Sequence, residues 1–201
     1  MSVGDDFKVP PLSWAAIELK ADRFRQQFGL DAYPRAPVSE LIEQVLDYQL
    51  GLVRFEVGSR KEMGQAEGYT CPNGEFIMLR EDVYEGVCAG EGRARFTAAH
   101  ELGHWYMHTN IPLARAKQGD GTRPFCLAEP QANQFAAQFL MPRRFIFPTD
   151  REEDLMKRFG VTWEPARNRL RYLQKSGGSN ERRLRLAPEP PNGFLHRASG
   201  A

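Results

Sequence analysis

The chain has no excess of charge, no long apolar run and almost no cysteine. Its 201 residues carry 27 Lys plus Arg against 26 Asp plus Glu, so no global field marks it as a binder of nucleic acid or another polyanion. Any such binding has to be local. No apolar stretch approaches the roughly 18 residues that span a bilayer, and Met1 to Trp14 lacks the basic-then-apolar profile of a secretory signal. The expectation is a soluble, cytoplasmic protein with no membrane partner. Three cysteines, Cys71, Cys88 and Cys126, form an odd set without a C-x-x-C pair, which argues against a disulfide framework or a thiolate zinc site. The length fits one domain with its own core, or a core plus a small appendage, and is too short for two full enzymatic domains. No internal repeat is visible.

What is present reads as helices around a short sheet. Trp14, Ile17, Ala21, Phe24 and Phe28 recur at three- and four-residue steps, predicting an amphipathic helix stopped at Gly29. Ser39 stands as the N-cap of a second helix, ELIEQVLDYQ, after a loop with two prolines. Val53, Phe55 and Val57 alternate with Arg54 and Glu56 as in a half-exposed strand, and Pro72-Asn73-Gly74 separates two further strand-like pieces in AEGYTCPNGEFIML. These pieces predict a small antiparallel sheet. A Gly-rich connection over 85–92 leads to a helix from Arg95 to Thr109, and the segment from Pro112 to Pro124 reads as a loop long enough to form a functional rim. A helix from Glu129 has to end before Pro142, and two short helical pieces, Glu152 to Phe159 and Thr162 to Lys175, follow. From Ser176 the mixture of Gly, Ser, Pro and Arg predicts a flexible tail. Phe96, Leu102, Trp105, Phe135 and Phe139 fall at core positions.

Of four histidines, three, His100, His104 and His108, lie within nine residues, in FTAAHELGHWYMH. On a helix His100 and His104 are one turn apart on one face, where two imidazoles converge on one metal ion, and Glu101 takes the general-base position of an H-E-x-x-H motif. Catalytic zinc usually takes three protein ligands and leaves the fourth position to water. The extended motif with Gly at 107 and His at 110 is excluded, because these positions are Met107 and Asn110. His108 lies two turns from His100, about 12 Å along a straight axis, so a structural role is expected for it. The better third ligand is Glu129 on the next helix, which completes a His₂Glu set of the thermolysin kind, and Asn133, one turn later, is placed to hold a ligand imidazole by a hydrogen bond.

The pair of motifs, RFTAAHELGHWYMH followed by E-x-x-A-N-x-F-A-A-x-x-L-M-P, resembles the ImmA/IrrE-type zinc metallopeptidases, and the likeness extends over roughly residues 12 to 175. It implies an α+β, zincin-like core with His100, His104 and Glu129 on Zn²⁺, one per chain, with Mn²⁺ able to stand in its place, and Glu101 as the catalytic residue. It also implies a protein substrate, a helix-turn-helix transcriptional repressor cut in stress response or mobile-element control. Many relatives carry a further Glu where this chain has Gln131, a position that is not an expected ligand. The domain reading is a flexible 1–11, a peptidase domain over 12–148, a helical appendage over 149–175 and a tail over 176–201. Tyr69, Tyr106, His108 and Arg95 are candidates by residue type for stabilising the oxyanion. Cys126, close before Glu129, is either a small buried hydrophobe or a redox-sensitive thiol.

Two rival readings remain. From Arg151 onward there are 11 basic and 6 acidic residues, a net +5, against 16 − 20 = −4 for the rest, and a Phe-Gly-Val-Thr turn lies beside Arg167, Arg169, Arg171 and Lys175. This end could bind DNA, or serve an antitoxin-like, partner-binding regulator with little peptidase activity. Direct DNA binding is not the expectation, because a complete trihelical unit is missing and Phe159, Val161, Trp163, Leu170 and Leu173 suit packing onto the core.

Overall fold

The computed structural model describes residues 6–116 and 121–186. It is α+β, mostly helical, with two small sheets. Helix α1 (Trp14–Gln27) is capped by the Ser13 hydroxyl, which accepts from the Ala16 N–H at 3.1 Å, and it buries Ile17, Ala21 and Phe24 as its period requires. Helix α2 begins earlier than expected, at Val38 (Val38–Glu40), and runs on as a π-helix over Leu41–Gln49. Ser39 does not cap it; its hydroxyl bonds Glu40 instead. Leu41 and Leu46 are both buried and five residues apart, a spacing that the wider π turn keeps on one face.

Strand β2 (Arg54–Gly58) leads through a one-turn helix, α3 (Arg60–Met63), to the hairpin of β3 (Gly68–Thr70) and β4 (Phe76–Arg80). The hairpin is antiparallel, with Gly68 opposite Leu79 and Thr70 opposite Ile77. The expectation of a wholly antiparallel sheet is corrected here: β4 pairs with β2 in parallel, Arg54 to Phe76 through Gly58 to Arg80, in the order β2-β4-β3. The most apolar strand takes the centre, where Ile77 and Leu79 are fully buried, and the short GYT strand is left at the edge.

Two further segments differ from expectation. The first half of the Gly-rich connection belongs to a helix, α4 (Glu81–Cys88), which packs on α5 (Gly92–His108) and buries Val83 and Val87. The N-terminal segment is held from Asp6 onward. Strand β1 (Phe7–Lys8) pairs with β5 (Ala114–Arg115), and the Val9 and Leu12 N–H groups donate to the Cys126 and Phe125 carbonyls at 3.0 and 3.1 Å. Pro10 and Pro11 favour the extended backbone that such a strap needs. The remainder of the expected flexible terminus, 1–5, and part of the expected rim, 117–120, lie outside the described residues.

Helix α6 (Ala128–Leu140) packs between α1 and α5. Phe24 of α1 meets Tyr106 of α5 and Phe135 and Phe139 of α6 at ring-centroid distances of 4.8, 6.0 and 5.8 Å, so one aromatic cluster ties the three helices. Helix α7 (Glu152–Phe159) matches its predicted span, and α8 (Trp163–Leu186) continues past Ser176, where a flexible tail was expected to start. The rest of that tail, 187–201, lies outside the described residues. Leu155, Phe159, Val161 and Ala166 join the same core as α1, α5 and α6. Among the described residues no helix is long and apolar enough to cross a membrane.

Candidate metal centre

The centre is made where α5 and α6 approach closely, and one glycine permits the approach. A Cβ at Gly103 would stand 3.0 Å from the Phe135 ring and 3.3 Å from the Ala132 carbonyl, so a side chain there would require Phe135 or the α6 backbone to give by a few tenths of an ångström. With glycine, the carboxylate of Glu129, in the first turn of α6, reaches both motif histidines. His100 Nε2 lies 3.2 Å from Glu129 Oε2, His104 Nε2 lies 3.3 Å from Oε1, and the two Nε2 atoms are 2.9 Å apart. Ligands bonded at 2.0–2.1 Å to a tetrahedral ion sit about 3.3 Å from one another. The three side chains therefore fit a metal ion of zinc's size and N/O preference, and they are the group of this kind among the described residues.

The charges are arranged to match. Burial pushes the Glu129 carboxyl up, but hydrogen bonds from His100 and His104 outweigh it and hold the group far below the usual carboxylate range. Burial pulls His100 down, and its contacts with Glu129 and Glu101 more than reverse this, so its pKa is raised. Asn133 Oδ1 lies 3.0 Å from His100 Nδ1, which leaves Nε2 facing Glu129.

Glu101 is almost fully buried and does not enter the triad. Its Oε2 accepts a hydrogen bond from the Thr70 hydroxyl at 2.7 Å, and the same hydroxyl reaches the Glu101 carbonyl at 3.0 Å. The Glu101 side chain lies against the backbone of Gly68, where a Cβ would come within 2.6 Å of its Cγ. The edge strand β3 thus sets the direction of this carboxylate. Sequence reasoning missed Thr70 and Gly68, because nothing local in GYT announces a contact with a helix thirty residues away.

His108 is not a ligand of the triad. Its Nδ1 lies 3.1 Å from His104 Nδ1, and its Nε2 lies 3.0 Å from Gln131 Oε1. Burial lowers its pKa to about 4, so the ring is neutral at pH 7. The other oxyanion candidates are not brought to the centre. Tyr106 packs in the aromatic cluster, and Arg95 donates to the carbonyls of Ala36, Phe159 and Gly160. Tyr69 projects from the opposite face of β3 to Gly68 and Thr70, against Phe76. Cys126 is half-buried in a 3₁₀ turn (Pro124–Cys126), where its backbone carbonyl anchors Val9.

Among the described basic residues of the C-terminal end, Arg169 and Arg167 are engaged within the fold, while Arg171 and Lys175 are exposed. Arg169 is buried, with Nε on the Met141 carbonyl at 3.0 Å and Nη2 on Glu18 at 3.1 Å, while Arg167 lies over the Trp163 ring at 4.7 Å. Phe159 and Val161 are buried and Leu170 packs against the core, whereas Trp163 is half-exposed.

Comparison with known proteins agrees with this geometry. The profile of Peptidase_M78, described as the IrrE N-terminal-like domain, matches residues 49–171, more than half of the chain, from before β2 into α8. The match contains both motif helices, while α1, which the sequence likeness also took in, lies before it. No curated protein and no solved structure matches the chain. With two histidines and a glutamate converging between α5 and α6 inside the matched segment, the chain belongs to the Peptidase_M78 family, a metallopeptidase family.

Proposed function

We propose that this protein is a zinc-dependent endopeptidase with a zincin-like core, in which His100, His104 and Glu129 hold the ion and Glu101 is the catalytic base. The observation that carries the reading is the convergence of two Nε2 atoms and one carboxylate within 4.8 Å, one residue along the helix from a buried glutamate. When bound, zinc supplies Lewis-acid activation of water and of the scissile carbonyl. Everything else falls to the chain. Glu101, aimed by Thr70, takes the proton of the attacking water and returns it to the leaving amine nitrogen. Asn133 holds His100, and the low pKa of Glu129 keeps its carboxylate ionised for the metal. Strand β3 is an edge of the sheet and lies beside Glu101, so an extended substrate segment that adds to this edge brings its backbone to the base.

The substrate we propose is a helix-turn-helix transcriptional repressor in the cytoplasm, with cleavage releasing genes for stress response or mobile-element transfer. This follows from the likeness of the paired motifs to regulatory ImmA/IrrE-type peptidases. Zinc-loaded protein incubated with the repressor encoded beside it should give one discrete cut that Glu101→Gln abolishes. An intact repressor with zinc or manganese present would reject the substrate assignment.

A further inference from the structure

The path of hydrogen bonds leading away from His104 has a fixed polarity. It starts at the N-terminal strap. Gln131 is fully buried, and its Nε2 stands 3.0 Å from the Pro10 carbonyl and 2.8 Å from the Phe125 carbonyl. Carbonyls only accept, so the amide can be oriented in one way, with both N–H bonds used and Oε1 left as an acceptor. Oε1 faces His108 Nε2 at 3.0 Å, which must therefore carry a proton and donate it. His108 is buried and its two ring partners are an amide oxygen and an imidazole, with no carboxylate to balance a charge, so the ring is neutral and Nδ1 is then an acceptor, facing His104 Nδ1 at 3.1 Å. His104 Nδ1 must carry the proton, which leaves the lone pair on Nε2, the atom that faces His100 and Glu129.

We propose that His108 and Gln131 are positioning residues for the metal site: anchored on the carbonyls of Pro10 in the strap and Phe125 in the 3₁₀ turn, they hold His104 in the one tautomer and ring orientation that presents Nε2 to the ion. The inference rests on the reading of His104 as a ligand. It gives a role to the third histidine of the motif helix, to a glutamine that reaches two carbonyls, and to the strap across the start of α6. The strap contributes again at Asp6, whose Oδ1 accepts from the Glu129 N–H at 3.1 Å. Helix α6 has no side-chain cap of its own at Leu127, so Asp6 supplies that bond from 123 residues away. Both ends of the strap thus act on α6: Asp6 at the Glu129 backbone, and Pro10 at Gln131.

Partners of this kind typically change metal affinity by 10–100-fold when removed. The test is zinc affinity by competition with a chromophoric chelator, together with imidazole ¹⁵N shifts of the zinc-loaded protein. His108→Leu and Gln131→Leu should each weaken zinc by about 10–100-fold. His108→Gln, which can accept from His104 through its oxygen and donate to Gln131 through its nitrogen, should stay within about threefold of the original protein. Asp6→Ala, a change outside the core, should weaken zinc by about 2–5-fold, and Asp6→Asn should not. The shifts should show His104 protonated at Nδ1 and His108 at Nε2. Unchanged affinity in both leucine variants, an equal loss in His108→Gln and His108→Leu, or the opposite tautomers would overturn the proposal. If the original protein takes up no zinc, the ligand reading itself fails and the relay with it. That outcome is distinct from zinc bound equally by all variants.

Discussion

Helices α5 and α6 on one side, and α7 and α8 on the other, are both helix pairs that bury polar side chains, yet they bury them differently. In the second pair the buried charges end inside the protein. Arg169 spans from α8 to the Met141 carbonyl and Glu18, and Arg158 of α7 makes a two-pronged contact with Asp150. In the first pair the polar groups are directed at one another's lone pairs: two imidazole Nε2 atoms and a carboxylate face a common point, and their outer atoms are held by Asn133 and His108. The arginines of α7 and α8 are neutralised by acids outside these helices, Asp150 and Glu18, whereas two imidazoles and a carboxylate between α5 and α6 face a common point where they could hold a metal ion. Burial of polar groups therefore does not separate function from structure. The direction of their remaining valences does.

This contrast can be broken at either end. The largest expected effect is at the centre: His104→Ala or Glu129→Ala should abolish stable metal binding and reduce peptide cleavage to background, read by metal analysis and a peptidase assay. Glu101→Gln should keep the metal and lower kcat by about 10²–10⁴-fold, the usual share of a general base. In the other pair, Arg169→Met leaves Glu18 without its buried partner and should cost about 3–5 kcal/mol in chemical denaturation, with one metal per folded chain retained. If Arg169→Met removed metal as completely as His104→Ala, the two regions would not be separable.

Gly103→Ala sits between these extremes. It should cost about 1–3 kcal/mol by forcing Phe135 from its place, and it should weaken metal binding because it moves Glu129 away from the histidines. The smallest effect concerns acid stability. Asp150 has a depressed pKa, chiefly from the side-chain hydrogen bond with Arg158 and then, against the cost of burial, from the Phe147 N–H. A carboxyl depressed on folding contributes stability that is present above its unfolded value, about 3.9, and is lost as pH falls through the lower folded value. The denaturation midpoint of the original protein should thus fall more steeply below about pH 4 than that of Asp150→Asn, which starts lower at pH 7.

The sequence made the helices and the meeting of His100, His104 and Glu129 legible because both are written locally. The stripe Ile17, Ala21, Phe24 and the repeat His100, His104 each lie within one helix, and Glu129 with Asn133 repeats the same one-turn spacing. The parts that were not legible depend on distant chain. Parallel pairing of β2 with β4 is decided by which strand is most apolar, not by which is next in sequence. The strap consists of two-residue pairings and single hydrogen bonds to 114–127, too short to leave a period. Helix α4 was hidden by Gly86, which read as part of a Gly-rich loop. The roles of Thr70 and Gln131 appear only when β3 is laid on Glu101 and the strap on α6.

The most direct test of the central claim is the metal content of the purified protein, measured beside Glu101→Gln and His104→Ala. The account predicts one zinc per chain in the original protein and in Glu101→Gln, and none in His104→Ala. No metal in the original protein, with none taken up on titration, or full retention in His104→Ala, would contradict it.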